Sequence, residues 1–336
     1  MRILIASPID AEAVEQLRAR HAVVCAAGAG RDGFWAGLAD CEALVFRSGI
    51  AISEAVLDQA PRLRLLVRAG CGLDNVALEE VTRRGIQLAR IPEPAAQAVA
   101  EMALALMFAL ARNLREADRQ WRAGRWLKDE LEGTLLAGKT LGIVGAGNIG
   151  SRVGALGAAV GMRPIGCVRE PTAEIAATLR AKGIELAAFE EVVSRADFLS
   201  LHVPLAEDTR NLIDAGVLAR MKAGAFLINL ARGGVVDEAA LCRALVEGRL
   251  RGAALDVHEQ EGEGRISPLA GLPNVLLTPH IGAMTLDTQR QIGRRVVQII
   301  EHFAAAIRGA PGHPAHPEED LPRGSYSAVS EEPLSL

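Results

Sequence analysis

The stretch Leu141-Gly142-Ile143-Val144-Gly145-Ala146-Gly147-Asn148-Ile149-Gly150 decides the fold of this chain. An apolar run typical of a buried strand leads into Gly-x-Gly-x-x-Gly, and a helical pattern follows. Gly145 permits a tight turn, Gly147 lets the backbone approach a pyrophosphate, and Gly150 lets helix and strand pack closely. The helix N-terminus would face the phosphates with unpaired N–H groups. The stretch therefore predicts a dinucleotide-binding βαβ unit.

The same alternation of strand and helix patterns extends in both directions from this stretch and predicts parallel sheets. We predict an α/β fold of two doubly wound parallel-sheet domains, with a Rossmann-like cofactor domain inserted in the substrate domain. The predicted boundaries are 1–97 with 285–309 for the substrate domain, 98–284 for the dinucleotide-binding domain, and a flexible tail at 310–336. The predicted strands are Ile3–Ala6, Ala22–Cys25, Ala43–Phe46, Leu63–Arg68, Ile86–Leu88, Leu141–Val144, Pro164–Val168, Phe198–Val203, Ala225–Leu230, Ala253–Val257 and Val275–Thr278.

Composition narrows the functional classes. The net charge is −4 without a basic stripe, so we expect no nucleic-acid partner. The five cysteines have no close repeated spacing, which indicates free thiols of a reducing compartment and predicts no metal site. The N-terminal apolar run is too short for a signal peptide, and the run at 99–111 fits a buried helix better than a membrane span. We therefore expect a cytoplasmic protein without a membrane partner.

The end of the second strand of the nucleotide unit bears on cofactor preference. An acidic residue usually stands there to accept the adenosine ribose hydroxyls. Here Val168 occupies that position and Arg169 follows it. A guanidinium can pair with a 2′-phosphate, so the pattern favours NADP over NAD. Glu170 leaves NAD open, because a shifted turn would present its carboxylate to the ribose.

Three further strands end in polar residues that suit one chemistry. Arg232, Glu261 and His280 each follow a predicted strand, and ligands of open α/β sheets bind beyond the carboxyl ends of strands. Arg232 can hold a carboxylate in a bidentate fork. His280 can exchange a proton with a carbonyl or hydroxyl oxygen, and Glu261 can orient the imidazole and favour its protonated form. The three residues together suit hydride transfer at a 2-oxo or 2-hydroxy acid.

In order and spacing, these segments resemble the D-isomer-specific 2-hydroxyacid dehydrogenase family, which includes phosphoglycerate dehydrogenases and glyoxylate/hydroxypyruvate reductases. The resemblance covers about residues 1–308. The matching segments are Arg68–Asn75, Val99–Glu101, Arg122–Trp126, Leu136–Thr140, Gly145–Gly150, His202–Leu205 with Thr209, Met221–Gly224, Asn229–Gly234, Asp256–Glu261 and Thr278–Gly282.

The resemblance implies an NAD(P)-dependent oxidoreductase acting on a small D-2-hydroxy acid or 2-oxo acid, and a homodimer that pairs through the cofactor domain and the helices around 95–125. It implies that Arg232, Glu261 and His280 are catalytic and that Arg232 and His280 also contact substrate. It adds Gly70, Cys71 and Gly72 as substrate-binding residues, and Arg47 near the distal end of the substrate. The residues implied for the cofactor are Gly145, Gly147, Asn148, Ile149, Gly150, Val168, Arg169, Val203, Pro204, Thr209, Leu230, Ala231, Asp256 and Gly282.

Some positions depart from the family pattern. Gly262 stands where a proline usually follows the catalytic glutamate, so Glu259 and Glu263 remain alternative partners for the imidazole. His258 replaces a frequent aromatic residue, and we interpret it as a packing substitute. Arg47 has two open interpretations, recognition of a distal phosphate or carboxylate and a strand cap.

Two alternatives to this activity remain. One is a non-catalytic dinucleotide-sensing protein, because some transcriptional corepressors resemble the family and keep the three residues. The other is a formate dehydrogenase, which would need further polar residues in the site.

Overall fold

A computed structural model describes residues 1–26 and 30–309 and contains two parallel sheets, each in its own compact unit. The first unit consists of Met1–Ala95 with the residues from Met284 onward, and the second is Ala96–Ala283. The predicted tail at 310–336 lies outside the described residues. The confirmed fold class is α/β with two parallel sheets flanked by helices.

The first sheet has five strands in the order β2-β1-β3-β4-β5. Its strands are β1 (Arg2–Ile5), β2 (Ala22–Cys25), β3 (Ala43–Phe46), β4 (Leu65–Arg68) and β5 (Gln87–Arg90). The helices between them are α1 (Ala11–Arg18), α2 (Gly30–Leu38), α3 (Glu54–Asp58) and α4 (Leu78–Arg83). The C-terminal helix α12 (Leu286–Gly309) packs Ile292, Val296 and Ile300 against this sheet.

The second sheet has seven strands in the order β12-β11-β10-β9-β6-β7-β8. Its strands are β6 (Thr140–Val144), β7 (Arg163–Cys167), β8 (Glu185–Leu186), β9 (Phe198–Leu201), β10 (Ala225–Asn229), β11 (Leu250–Leu255) and β12 (Val275–Leu277). The chain crosses from one side of β6 to the other between β8 and β9, so the topological switch point lies between β6 and β9. Ligands of such sheets bind at this point, beyond the carboxyl ends of the strands.

Helices cover the second sheet on both faces, and two separate buried clusters form beneath them. These helices are α5 (Glu93–Ala111), α6 (Leu114–Arg122), α7 (Asn148–Ala159), α8 (Ala173–Ala181), α9 (Phe189–Arg195), α10 (Ala215–Arg220) and α11 (Glu238–Val246), and a 3₁₀ turn spans Glu207–Thr209.

Helix α5 is the one helix of the described residues that is long and apolar enough to cross a membrane, judged by length and composition. Over half of its apolar window, 56%, is buried inside the protein. Ala100, Ala103 and Met107 pack in the same core cluster as β6. These contacts are those of a core helix.

The predicted strands agree with the observed ones within a few residues. The largest shift is at β11, predicted as Ala253–Val257 and observed as Leu250–Leu255. Arg251 and Gly252 interrupt the apolar run at its start, which hid these residues from a hydrophobicity pattern. Asp256 and Val257 instead leave the sheet and begin a loop.

Candidate active site

The glycine turn after β6 has the conformation that a dinucleotide needs. Gly145 has φ +89°, and a Cβ at Gly150 would lie 2.2 Å from the Gly145 carbonyl oxygen, so both positions require glycine. A Cβ at Gly147 would meet no atom within 4 Å, so this glycine faces open space. No side chain caps the N-terminus of α7 at Gly147. A helix N-terminus of this kind presents backbone N–H groups and the positive end of the helix dipole to an anion. The turn therefore fits a pyrophosphate, with Asn148 and Ile149 as the first residues of α7.

The end of β9 forms the second wall of this turn. A Cβ at Gly145 would lie 2.6 Å from the His202 carbonyl oxygen and 2.9 Å from a Val203 methyl group. The Thr209 hydroxyl accepts from the Ala206 amide at 2.7 Å and donates to the Pro204 carbonyl, also at 2.7 Å. Thr209 thus folds the loop that follows β9 at the switch point. The family resemblance implies a cofactor contact for Thr209, and that contact stays a prediction.

Arg169 lies beyond the end of β7, which finishes at Cys167. Its guanidinium forms an ion pair with Asp208 at 2.5 Å, and both side chains are more than half exposed. The sequence did not predict this partner, because Asp208 lies 39 residues away in the β9 loop. Val168 packs against the core cluster of α7, so no carboxylate stands at the position that usually accepts the ribose.

Glu261 and His280 form the hydrogen-bonded pair that the sequence predicted. Oε2 of Glu261 lies 3.0 Å from Nδ1 of His280. Burial raises the pKa of Glu261, but the hydrogen bond and charge of His280, together with the amide and charge of His258, outweigh burial and leave this pKa below its ordinary value. Glu261 is therefore ionised at neutral pH. The competing Glu259 points elsewhere, since its Oε1 accepts from the Glu238 amide at 3.0 Å.

The turn that carries His280 is held by Asp256, which is 2% exposed. His280 has φ +55°, a left-handed conformation that costs a non-glycine residue about 1–3 kcal/mol. The Asp256 carbonyl accepts from the His280 amide at 2.8 Å. Its carboxylate accepts from the Thr278 hydroxyl at 2.6 Å, from the Ile281 amide at 2.9 Å and from the Gly282 amide at 2.7 Å. Asp256 thus fixes the backbone on which the imidazole stands, and a contact with the nicotinamide stays a prediction.

Arg232 follows β10, next to β11 in the sheet. The buried Asn229 shapes this loop, because its amide group accepts from the Ala231 amide at 3.0 Å and donates to the Arg232 carbonyl at 3.1 Å. The Arg232 guanidinium donates to the Ala231 carbonyl at 2.7 Å. Leu230 and Ala231 are buried. Strands β10, β11 and β12 are parallel neighbours. The loops that carry Arg232, Glu261 and His280 therefore all follow the carboxyl ends of adjacent strands.

A clamp that the sequence analysis missed fixes the loop bearing Glu261. The Glu238 amide donates to Glu259 Oε1 at 3.0 Å, and the Glu259 amide donates to Glu238 Oε1 at 2.8 Å. Ser267 donates to the other oxygen of Glu238, which is 3% exposed. The sequence carries no local signal for this clamp, because its two glutamates lie 21 residues apart.

The residues predicted for the substrate near positions 47 and 70 belong to the first unit. Arg68 donates through Nε to the Gly72 carbonyl at 2.9 Å, and a Cβ at Gly70 would lie 2.8 Å from its guanidinium. Arg68 thereby shapes the loop of Gly70, Cys71 and Gly72. Arg47 donates to Gln289 at 2.8 Å, and burial lowers its pKa.

A Rossmann-type glycine turn and a hydrogen-bonded Glu–His pair beyond the strand ends define the class, an α/β protein of the dinucleotide-binding type. Residues 104–282 match the model of the D-isomer specific 2-hydroxyacid dehydrogenase NAD binding domain. Hydroxypyruvate reductase of Thermotoga maritima is 36% identical over 304 residues, which are 89% of this chain and 97% of that protein. The chain belongs to the D-isomer-specific 2-hydroxyacid dehydrogenase family.

Two other comparisons agree with this family. D-3-phosphoglycerate dehydrogenase of Methanocaldococcus jannaschii is 38% identical over 302 residues, which are 90% of this chain and 57% of that protein. The chain thus spans little more than half the length of such relatives. The crystal structure of D-lactate dehydrogenase from Aquifex aeolicus with NAD and lactic acid has a TM-score of 0.80, 29% identity, and coverage of 91% of this chain and 96% of that chain.

Proposed function

We propose that this protein reversibly transfers a hydride between NAD(P) and C2 of a small D-2-hydroxy acid or 2-oxo acid. The observation that carries the proposal is the 3.0 Å pair of Glu261 and His280 at the same sheet edge as Arg232, in a unit with a dinucleotide-type glycine turn. The bound dinucleotide supplies or accepts the hydride. The residues of the chain bind the acid and move its proton.

The pairing assigns a separate task to each nitrogen of His280. Nδ1 faces Glu261, so Nε2 is left to donate to the carbonyl oxygen in reduction and to accept from the hydroxyl in oxidation. Glu261 stabilises the positive charge of the ring and sets its orientation. Arg232 holds the carboxylate of the substrate. A planar guanidinium can form two parallel hydrogen bonds with a carboxylate, which the ammonium group of a lysine cannot.

The test is a panel of 2-oxo acids of different size and charge with NADH and NADPH. We expect turnover with at least one of them, and a His280→Ala variant should lower kcat by about 10²- to 10⁴-fold. Arg232→Ala should mainly raise the substrate KM. Dinucleotide binding without turnover of any acid would instead favour the sensing protein, and near-normal turnover in His280→Ala would remove this residue from the mechanism.

We further propose that the substrate carries a second anionic group, which Arg47 binds. Its guanidinium is partly buried and held by Gln289, so it is preorganised, and burial strengthens its attraction for an anion. The comparison is between phosphohydroxypyruvate and hydroxypyruvate, in the native protein and in Arg47→Gln. The variant should lose kcat/KM for the phosphorylated acid only. Equal losses for both acids would favour the strand-cap interpretation.

For the cofactor we propose a preference for NADP, on the basis of Arg169 and the missing carboxylate at Val168. The ion pair of Arg169 with Asp208 is exposed and therefore weak, about 0–1 kcal/mol. A 2′-phosphate can therefore take the place of the Asp208 carboxylate. Asp208→Asn should raise kcat/KM for NADPH, and Arg169→Ala should lower it, with little change for NADH. A strong NADH preference of the native protein would contradict this proposal.

A further inference from the structure

His258 touches all three segments that carry the proposed catalytic residues. Its backbone amide donates to Glu261 Oε1 at 3.3 Å. Its ring nitrogen Nε2 lies 2.9 Å from the carbonyl oxygen of Thr278, two residues before His280. Its own carbonyl oxygen lies against Gly233, where a Cβ would come within 1.8 Å of it. No side chain fits at Gly233, so His258 and the loop of Arg232 are in close backbone contact.

The ring contact with Thr278 is a directed hydrogen bond. A carbonyl oxygen only accepts, so Nε2 of His258 must carry the proton. Nδ1 of the same ring is buried and has no hydrogen-bond partner. The ring therefore has one polar connection, and that connection joins the Glu261 loop to the His280 turn. A phenylalanine ring at this position could fill the space but could not donate this bond.

The connection matters because the His280 turn is strained. A left-handed non-glycine residue persists only where its surroundings fix it from several sides. Asp256 holds the turn through the His280, Ile281 and Gly282 amides. The His258 ring holds it through the Thr278 carbonyl, while the His258 amide holds the second oxygen of Glu261.

We propose that His258 is a positioning residue, which keeps Glu261 Oε2 and His280 Nδ1 at hydrogen-bonding distance by binding both of their loops. This inference rests on the proposed function, and it replaces the interpretation of His258 as a packing substitute. Glu261 meets the His258 amide and the His280 turn meets its ring, while Gly233 meets only its backbone carbonyl. Loss of the ring should therefore appear in the protonation of the Glu261–His280 pair. It should not appear in substrate or dinucleotide binding.

The test compares two substitutions with opposite hydrogen-bonding capacity. His258→Phe keeps a ring but loses the donor, and His258→Gln can place an amide N–H near the position of Nε2. We expect kcat of the Phe variant to fall about tenfold, the effect of one lost hydrogen bond at the site. Its substrate KM and dinucleotide Kd should stay within about twofold. The Gln variant should recover kcat to within about threefold of the native value, the cost of imperfect hydrogen-bond geometry. His258→Leu is a second donor-free variant in case the Phe variant does not fold.

A second measurement is independent of turnover. The Nδ1–H proton of His280, bonded to a carboxylate, should give a downfield NMR signal that Glu261→Gln removes. We expect this signal in the native protein and in His258→Gln. In His258→Phe it should be lost by exchange with solvent. A Phe variant with native kcat, pH profile and NMR signal would overturn the positioning role while leaving the proposed function intact. Failure of the native protein with every acid would overturn the proposed function, and the NMR comparison would still decide the role of His258.

Discussion

At the scale of single residues, the ionisation of Glu261 predicts how the rate of reduction depends on pH. Its pKa is lowered by His280, so the carboxylate in turn favours the positively charged ring. Glu261→Gln removes the negative charge but keeps a hydrogen-bonding side chain. We expect kcat for reduction to fall by about 10- to 100-fold, since reduction needs the protonated imidazole. The pH at which reduction declines on the alkaline side should move downward. The pH profiles of kcat and of kcat/KM measure both effects.

The control for this variant is Glu263→Gln. Glu263 was an alternative partner in the sequence, but it is exposed, and Nδ1 of His280 is bonded to Glu261 instead. This variant should have a native pH profile. A shifted profile in Glu263→Gln, or an unshifted one in Glu261→Gln, would contradict the assignment.

Substitutions at two glycines of the turn after β6 should affect different properties, dinucleotide binding at Gly147 and stability at Gly150. An alanine Cβ at Gly147 meets no protein atom, whereas at Gly150 it would lie 2.2 Å from the Gly145 carbonyl oxygen. Gly147→Ala should keep the native melting temperature and weaken dinucleotide binding at least tenfold, because the methyl group would occupy the space of the pyrophosphate. Gly150→Ala should lower the melting temperature, because backbone must move. Calorimetry of unfolding and of NADH binding measures both. Equal dinucleotide affinity in Gly147→Ala and the native protein would contradict this location of the phosphates.

The sequence predicted those residues whose chemistry is local or whose spacing repeats a known pattern. Gly145, Gly150, Glu261 and His280 are of this kind. It could not predict the left-handed backbone of His280, because that conformation depends on amide contacts with Asp256, 24 residues earlier. For the same reason it missed the clamp of Glu238 and Glu259 and the ion pair of Arg169.

At the scale of helices and strands, hydrophobicity patterns identified strands that are buried on both faces. Strands β3, β4 and β10 are buried at every position, and each starts or ends within two residues of its prediction. The sequence analysis did not find β8, which has two residues at the sheet edge and no apolar run. A strand of two residues is too short to show either an apolar run or an alternation, so its sequence carries no signal.

Asp197 joins the starting ends of three neighbouring strands, and this gives a prediction about stability. Its Oδ2 accepts from the Thr140 amide at 2.7 Å and its Oδ1 from Lys222 at 3.0 Å, while its carbonyl accepts from the Phe226 amide at 2.9 Å. Burial raises the pKa of Asp197, but the Thr140 amide together with Lys222 and the charge of Lys139 outweighs burial and leaves this pKa lowered. A lowered pKa stabilises the fold above the unfolded-state value near 3.8, and this stabilisation is lost as the pH falls through the folded-state value.

We therefore expect Asp197→Asn to lose about 1.5–3 kcal/mol of unfolding free energy at pH 7, as for a hydrogen bond to a charged group. The difference from the native protein should shrink as the pH is lowered towards 3. Urea unfolding at several pH values measures it. The control is Asp118→Asn on α6, where the carboxylate pairs with Arg122 in full solvent and little change is expected. A pH-independent loss in Asp197→Asn would show that charge is not the cause.

At the scale of the whole molecule, exposed apolar side chains lie on helices of the second unit. The family resemblance implies that these helices take part in dimer formation. Five exposed apolar side chains lie on α5, α6 and the segment after them, namely Phe108, Leu114, Trp121, Trp126 and Leu135, and we refer to them together as the apolar surface. Trp121 is 64% and Trp126 72% exposed, and their rings pack edge to face at 5.4 Å. Exposed tryptophans of this kind are typical of the centre of a protein interface.

We expect this surface to be covered by the same surface of a second copy, because a two-fold dimer pairs identical patches. Light scattering after size exclusion should give twice the mass of one chain for the native protein. Trp121→Glu and Trp126→Glu should shift the equilibrium to the monomer at micromolar concentration, since each places a charge in an apolar contact. Val246→Glu on α11 changes an equally exposed apolar side chain (68%) outside this surface and should leave the mass unchanged. A native monomer at high concentration, or dimers in both tryptophan variants, would show that these aromatic rings serve another contact.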